Sequence, residues 1–386
     1  MTAANHIDIH LLQALPYANV NRDDVGSPKS LTYGGADRIR VSSQSWKRAV
    51  RLAMERKLGT PAVRTRRIAS GVAEALKQQG WDQGLAEFAG KQVIAAVNLK
   101  PSENSHLTQA LVFLPQSAIA ELVELCRGHQ EALETAFQHA STSDQKKSKD
   151  DTKSVLPSKE VAAIFASRNG IINLFGRMLA ELPSGGQVDG AVQVAHAFTT
   201  HAASAEVDFF TAVDDLEDPA DSDNQASAHV NAGEYASGVF YRYASLNVAD
   251  LAENLHQDWN ATRELTAAFL DAFIYSLPNA KKNSTAPFTV PELAYVSVRS
   301  DRPVSLAGAF EAPVRMKDVG GFAEPSRYRL NWYAEKIYTL IGKDGLLWHA
   351  HASVEDKPLE ALGTKVTSYH ELITNTIEQV FAAGER

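Results

Sequence analysis

Residues 5–15, NHIDIHLLQAL, alternate, with Ile7, Ile9 and Leu11 on one side and His6, Asp8 and His10 on the other. Period two over that length is the pattern of a half-buried β-strand. The connection YANVNRDDVGSPKSLTYGGADRIRV (17–41) reads as a loop. Helical spacing follows: SSQSWKRAVRLAMERKLG (42–59) sets Trp46, Val50, Ala53 and Met54 on one side. Ser43 is the expected N-cap, and Gly59 followed by Pro61 ends the helix.

From about 60 to 181 the periodic segments are helical, among them RRIASGVAEALKQQ (66–79) and QSAIAELVELCRGHQEALETAFQHA (116–140), and no strand is expected between them. This stretch reads as an inserted helical domain. Within it, STSDQKKSKDDTKSVLPSKE (141–160) is charged and almost without large apolar groups, the composition of a mobile loop. Strand patterns return at AVQVAHAFTT (191–200) and YASGVFYRYASLNV (235–248), then a helix at 249–277, a strand at LAYVSVRS (293–300), and helices at 325–342 and 368–384. Without the insert the order is βαββαβ, an α+β ferredoxin-like or RNA-recognition-motif domain whose open sheet often serves RNA binding. At 386 residues the chain is long for a single core, which agrees with a core carrying inserts. No fixed-period repeat occurs, so repetition would have to come from copies of the chain assembling.

The 44% hydrophobic and 22% charged fractions are those of a soluble globular protein. No apolar run reaches the roughly 20 residues of a membrane span, and MTAANHIDIHLLQAL lacks the pattern of a secretory signal. A cytoplasmic protein with no membrane partner is expected. Cys126, the sole cysteine, rules out an intramolecular disulfide and a Cys-rich zinc site; its setting, AELVELCRG, predicts a packed thiol.

The formal net charge of -8 is unevenly spread: Arg22 to Arg67 holds twelve Lys or Arg against four Asp or Glu, leaving -16 for the rest. A basic segment on an acidic body suits a phosphate-bearing partner on one surface, although a solvated helix face would give the same count. Its densest part, RIRVSSQSWKRAVR (38–51), combines Arg38, Arg40, Lys47, Arg48 and Arg51 with Ser42, Ser43 and Gln44 at a helix start. Free amides and the helix dipole attract an anion there, hydroxyl and amide side chains donate to its oxygens, and the cations add charge. A merely capped surface helix is the plain alternative.

The other unusual stretch, AEVDFFTAVDDLEDPADSDNQASAH (205–229), has eight carboxylates and no cation from Glu206 to Asp223. Asp214 and Asp215, with His196 or His201 near in sequence, could hold Mg²⁺ for phosphodiester hydrolysis. Adjacent strand residues face opposite ways, which opposes that pairing. Phe209 and Phe210 read either as stacking residues on a protruding hairpin or as ordinary core. His349 and His351 lack an evident third metal ligand and read as surface loop histidines. No P-loop, dinucleotide, G-x-S-x-G or H-E-x-x-H pattern occurs, and neither a cofactor nor a catalytic residue is assigned.

Six stretches, NRDD (21–24), GGADRIRVSSQSWKRA (34–49), FGRM (175–178), DGAVQVAHAFTTH (189–201), DFFTAVDDL (208–216) and EYASGVFYRYASLN (234–247), together resemble the CasC family. That family supplies the multi-copy backbone of the type I-E CRISPR Cascade complex. The resemblance implies a hand: a palm from 1–60, 182–197 and 236–386, helical fingers at 61–181 and a thumb hairpin at 198–235. It implies crRNA as ligand, target DNA reached through the guide, and other copies in a head-to-tail stack. Large, small, cap and guide-processing subunits would complete the complex. By motif, Lys29, Ser42, Gln44, Lys47 and Arg48 would hold the RNA backbone, Phe209, Phe210 and Thr211 would lie on the thumb against it, and Met178 and Val230 would flank a displaced nucleotide. Arg22, Arg38, Arg40, Ser43, Arg51 and His201 complete the candidate set. Phe stands at 209 where the family has Trp, and Val at 230 where it has Leu; both keep an apolar wedge. Related type III backbone subunits cleave RNA with a thumb aspartate, so Asp214 marks the enzymatic alternative.

Overall fold

The computed structural model describes residues 5–102, 107–142, 154–179, 186–211, 230–316 and 320–381. In chain order the first elements are β1 (His6–Ala18), β2 (Ser30–Tyr33), β3 (Ala36–Val41), α1 (Ser43–Leu58) and β4 (Ala62–Thr65). Next come α2 (Ile68–Gln78), α3 (Gln83–Ala96), β5 (Val112–Pro115), α4 (Ser117–Gly128), α5 (Gln130–Thr142), α6 (Ser158–Ala166) and α7 (Gly170–Phe175). Then follow β6 (Val192–Val194), β7 (Ala197–Thr199), β8 (Glu206–Thr211), β9 (Val230–Asn247), α8 (Val248–Asn254), α9 (Trp259–Tyr275) and α10 (Lys282–Thr285). The last are β10 (Leu293–Arg299), α11 (Ala323–Ile341), β11 (Leu346–Ser353), β12 (Thr364–Val366) and α12 (Tyr369–Phe381). The chain divides into two compact units, one of residues Met1–Met54, Val192–Ala249 and Thr262–Arg386, the other of Glu55–Ala191 and Asp250–Ala261.

The first unit is built on one mixed sheet in the order β12-β11-β10-β1-β9-β7-β3-β2, with β6 and β8 also paired to β9. β1 lies between β9 and β10, antiparallel to both, so that Ile9 faces Ala244 and Val296 while His10 faces Tyr243 and Tyr295. Both faces of β1 are buried, and this corrects the half-buried reading: Asp8 and His10 are as inaccessible as Ile7 and Ile9. The polar face is covered by Val304, Leu306, Phe310 and, from α11, Leu330 and Tyr338. On the opposite face Arg242 of β9, level with Leu11, lies 3.7 Å over the Trp46 ring of α1 and 4.8 Å over Phe273 of α9.

Three further strand assignments differ from the sequence reading. Residues 30–41 form a hairpin rather than a loop, turning at Gly34 and Gly35 with φ of 60° and 71°. Two successive positive φ values make the turn that a two-residue hairpin needs, and a Cβ at Gly34 would meet the Glu311 carbonyl oxygen at 1.6 Å. The 191–200 stretch splits into β6 and β7, because the register on β9 slips by one residue between Val194 opposite Ala244 and Phe198 opposite Tyr241. His349 and His351 lie on β11, not in a loop; His351 is buried beside the Leu362 carbonyl, and His349 meets the Tyr295 hydroxyl at 3.3 Å.

The second unit is mainly helical around Val72, Leu76, Leu85, Val93, Leu122, Cys126, Leu133 and Phe165. It also carries the antiparallel pair β4–β5, against the strand-free expectation; runs of four residues are too short to reveal a period. Cys126 is fully buried, which pushes its thiol up to about 12 and leaves it a packing group. Most of the charged 141–160 stretch lies outside the described residues. No helix among the described residues is long and apolar enough to cross a membrane.

Candidate nucleic-acid interface

The start of α1 is held from three directions. Ser42 caps it, one residue earlier than expected, its hydroxyl accepting from the Ser45 amide at 3.3 Å. The Ser42 amide donates to Asn21 Oδ1 at 2.8 Å, and the Ser43 amide to His196 Nδ1 at 3.0 Å. The Ser42, Ser43 and Ser45 amides are therefore already engaged, which narrows the picture of free N–H groups awaiting an anion and leaves more of the contact to side chains. Gln44 and Arg48 are exposed and Ser43, Lys47 and Arg51 half-buried on one flank, while Trp46, Val50 and Met54 are buried on the other.

The 21–29 segment brings further cations to this helix end. The Lys29 amide donates to the Asn21 carbonyl, and the Arg40 amide to the Lys29 carbonyl at 2.8 Å. Arg22 is exposed and bridges to Pro28. Asp23 folds the tip, accepting from the Val25 and Ser27 amides. Asn19 donates to Gly26 and Glu234 carbonyls at 2.9 and 2.8 Å, tying the segment to the foot of β9. Lys29, Arg40, Lys47 and Arg48 thus gather with Ser42, Ser43 and Gln44, and Arg22 and Arg51 flank them.

Arg38 does not belong to this group. Its guanidinium is fully buried and donates to the carbonyls of Thr199, Phe310 and Glu311; Arg40, two residues along on the same face of β3, escapes that cover, and its Nε donates to the Ser30 carbonyl instead. His201 is buried too. Its Nε2 accepts from the Val239 amide at 3.1 Å, which assigns the proton to Nδ1, facing the Ala202 carbonyl. Burial pushes its pKa down, so it stays neutral while it stacks 3.7 Å from Phe322. It lines an open cleft of about 620 Å³ with Leu15, Pro16, Glu206, Gly238 and Thr289.

β8 and the first residues of β9 form a ribbon in which Phe209 faces Ala232 and Thr211 faces Val230. Phe209 is 71% exposed and Phe210 48%, so neither is core. A stack braces the foot of the ribbon: Tyr17 lies 4.7 Å from Tyr235, and Lys281 Nζ lies 4.7 Å from the same ring. Asp214 and Asp215 lie outside the described residues, and among those described no group of acidic, His or Cys side chains could hold a metal.

A family model described as CT1975-like protein matches residues 7–379. The chain belongs to that family. It is similar to a solved chain of a "CRISPR RNA-guided surveillance complex, pre-nicking", 43% identical, TM-score 0.86, over 97% of this chain and 100% of that one. A second, of a "CRISPR RNA-guided surveillance complex", is 38% identical with a TM-score of 0.78, covering 98% of this chain and 100% of the other. No curated protein matches the chain in sequence.

In this CT1975-like chain Met178 belongs to the second unit and is 81% exposed. Gly176, at φ 79°, ends α7 and reverses the chain so that Arg177 goes in and Met178 out. Arg177 donates to the carbonyls of Ser167, Ala166, Gly186 and Phe113, and burial pushes its pKa down to about 10. Sequence reasoning gave Asn19, Asn21 and Arg177 no positioning role and considered His196 only as a possible Mg²⁺ ligand, although Asn21 and Arg177 fall within the NRDD and FGRM motifs.

Proposed function

We propose that this chain is the multi-copy backbone subunit of a type I-E CRISPR surveillance complex. In this reading it holds crRNA without cutting it, kinks it at regular intervals and presents the segments between kinks to target DNA. The carrying observation is the 43% identity, over essentially both whole chains, to a chain of an RNA-guided surveillance complex. The site supports the same reading. Cations with exposed amide and hydroxyl side chains at one helix end suit sugar–phosphate, and exposed aromatics on a ribbon suit bases. The sheet unit serves as a ferredoxin-like palm: the four strands of the βαββαβ order lie side by side as β10-β1-β9-β7. Residues 61–181 act as fingers and 198–235 as a thumb; Phe209, Phe210 and Thr211 lie against the RNA or its hybrid, and Met178 and Val230 flank the displaced nucleotide. Copies stack head to tail in the cytoplasm with large, small, cap and guide-processing subunits, an open heterologous assembly whose length the guide sets. Sequence-independent phosphate contacts let any spacer fit, while base pairing carries specificity.

The test is nuclease footprinting of guide RNA purified with the complex. Protection at a regular interval is expected, and unpatterned digestion would refute the stack. Lys47→Ala with Arg48→Ala should weaken RNA retention and lower the salt slope by about 1.4, because each phosphate that a single strand no longer has neutralised takes roughly 0.7 from the slope. An unchanged slope removes both residues from the site. Added Mg²⁺ should leave a bound RNA target intact; cleavage that Asp214→Ala abolishes would establish the enzymatic alternative.

A further inference from the structure

The cleft beside His201 has no part in the cluster at α1, and the sequence explains why it opens. Pro16 has no amide to give the ladder, and the register of β1 on β9 shifts between Leu15 and Ala18. Leu15 stands opposite Gly238, where a Cβ would meet Thr199 Cγ2 at 2.6 Å and His201 Nε2 at 3.2 Å, so the missing side chain admits the imidazole. Leu15, Pro16, Val239 and Phe322 give the cleft apolar walls, and every lining residue belongs to the first unit. His201 adds only its ring, since both nitrogens are already bonded. The Thr289 hydroxyl is committed too, to the Ala14 carbonyl at 2.7 Å. Three lining side chains remain without a hydrogen bond or ion pair: the Ser204 and Ser237 hydroxyls and the Glu206 carboxylate. Among the described residues no lysine or arginine lines the cleft.

These groups define a ligand by elimination. A carboxylate with no cation beside it repels phosphate and other anions. No group of acidic, His or Cys side chains among the described residues could hold a metal. What fits is an organic cation whose hydrocarbon body packs on the walls while its charge meets Glu206. β8 sets the spacing of its charges. Asp208 lies two residues from Glu206 on the same strand face, about 6.6 Å along it. Tyr17 reports that both carboxylates are near: desolvation first, and then Asp208 and Glu206, push its pKa up. An extended butane-1,4-diamine unit, with bonds of about 1.5 Å, spans about 6 Å between its nitrogens. We propose that the cleft and the adjoining face of β8 bind a linear aliphatic polyamine. Two ammonium groups pair with Glu206 and Asp208, and the remaining arm enters the cleft, its methylenes on the apolar walls and its end donating to the Ser204 and Ser237 hydroxyls. The ligand brings positive charge to the foot of a ribbon whose described residues, 206–211 and 230–235, contain three carboxylates and no lysine or arginine. The inference goes beyond the crRNA reading and does not depend on it.

The experiment titrates the RNA-free full-length chain with spermidine by calorimetry at physiological salt, where saturable binding of one molecule per chain is expected. Butane-1,4-diamine, which lacks the third arm, should bind at least about tenfold more weakly. Glu206→Gln with Asp208→Asn, both at exposed positions, should weaken spermidine at least about tenfold. Ser237→Phe fills the cleft from an exposed position and should reduce spermidine to the affinity of butane-1,4-diamine. Glu131→Gln, exposed on α5 of the second unit, should change nothing. An equal loss in Glu131→Gln would overturn the site, because it would mark general attraction to a chain of net charge -8. So would full affinity in the Glu206→Gln/Asp208→Asn chain, the absence of saturable binding, or displacement of spermidine by adenosine monophosphate at lower concentration, which would assign the cleft to a nucleotide.

Discussion

Trp46→Ala is expected to destabilise the sheet unit by about 3–5 kcal/mol and to weaken RNA binding, although Trp46 itself is buried away from solvent. The indole fills the interface between α1 and the sheet, and its face carries the Arg242 guanidinium at 3.7 Å. That guanidinium also donates to Gln13 Oε1 at 2.7 Å and to the Phe273 carbonyl, and burial already pushes its pKa down to about 9. Removing the ring leaves a cavity and strips a buried cation of its stacking partner, which puts the loss toward the upper end of that range. With α1 no longer seated, Gln44, Lys47 and Arg48 lose their fixed relation to Lys29 and Arg40. Thermal melts and RNA titrations should therefore move together for Trp46→Ala, whereas Lys47→Ala with Arg48→Ala should move only the titration. A Trp46→Ala chain that melts normally would refute the seating role.

The contrast between Arg38 and Arg40 explains how much of the site is legible in the sequence. A basic cluster at a helix start is visible as composition, and the flank of Gln44, Lys47 and Arg48 follows from helical spacing. Which arginine of RIRV is covered depends on the Thr199, Phe310 and Glu311 carbonyls that close over Arg38, contacts over 150 residues away that no local pattern records. The engagement of the cap amides is hidden for the same reason, because Asn21 and His196 reach them from distant parts of the chain. The fold is legible where elements are long: β1, β9, β10, α1 and α11 lie where period two or helical spacing puts them, while the single helix read at 249–277 is broken into α8 and α9 by the positive φ of His256 and Gln257. It is opaque where elements are short, as with β2, β4 and β5. His351 on β11 shows the remaining difficulty, since a buried polar residue in a strand that is buried only at Ala350–Ala352 looks like loop until its neighbours are known.

The second large effect is loss of stability in acid, and it originates at His10. This ring is fully buried, hydrogen-bonded to the Tyr241 hydroxyl at 2.9 Å, and packed 5.0 Å from Tyr243 and 5.3 Å from Tyr295. Its Nε2 has no partner, so protonation would bury both a charge and an unsatisfied donor; burial pushes its pKa down to about 3. A depressed histidine contributes stability that is present above its unfolded value near 6.5 and lost as pH falls toward the folded value. At about 1.4 kcal/mol per unit, the full loss approaches about 5 kcal/mol. Two residues away on the same face, Asp8 acts in the opposite sense. Burial pushes its carboxyl up to about 6 despite bonds from the Val304 amide and the Tyr243 hydroxyl. Its contribution is full below about 4 and lost as pH rises through 6, about 3 kcal/mol in all. Between pH 6 and 4 the two terms offset, and the native chain should show a shallow decline before falling steeply below 4. Asp8→Asn keeps an acceptor for Val304, raises stability at pH 7.5 by up to about 3 kcal/mol, and removes the offset so that decline begins near pH 6.5. His10→Gln should flatten the acid limb instead. Urea midpoints measured from pH 4 to 8 distinguish these outcomes: parallel curves for the native chain and Asp8→Asn would mean that the carboxyl is not buried in its uncharged form.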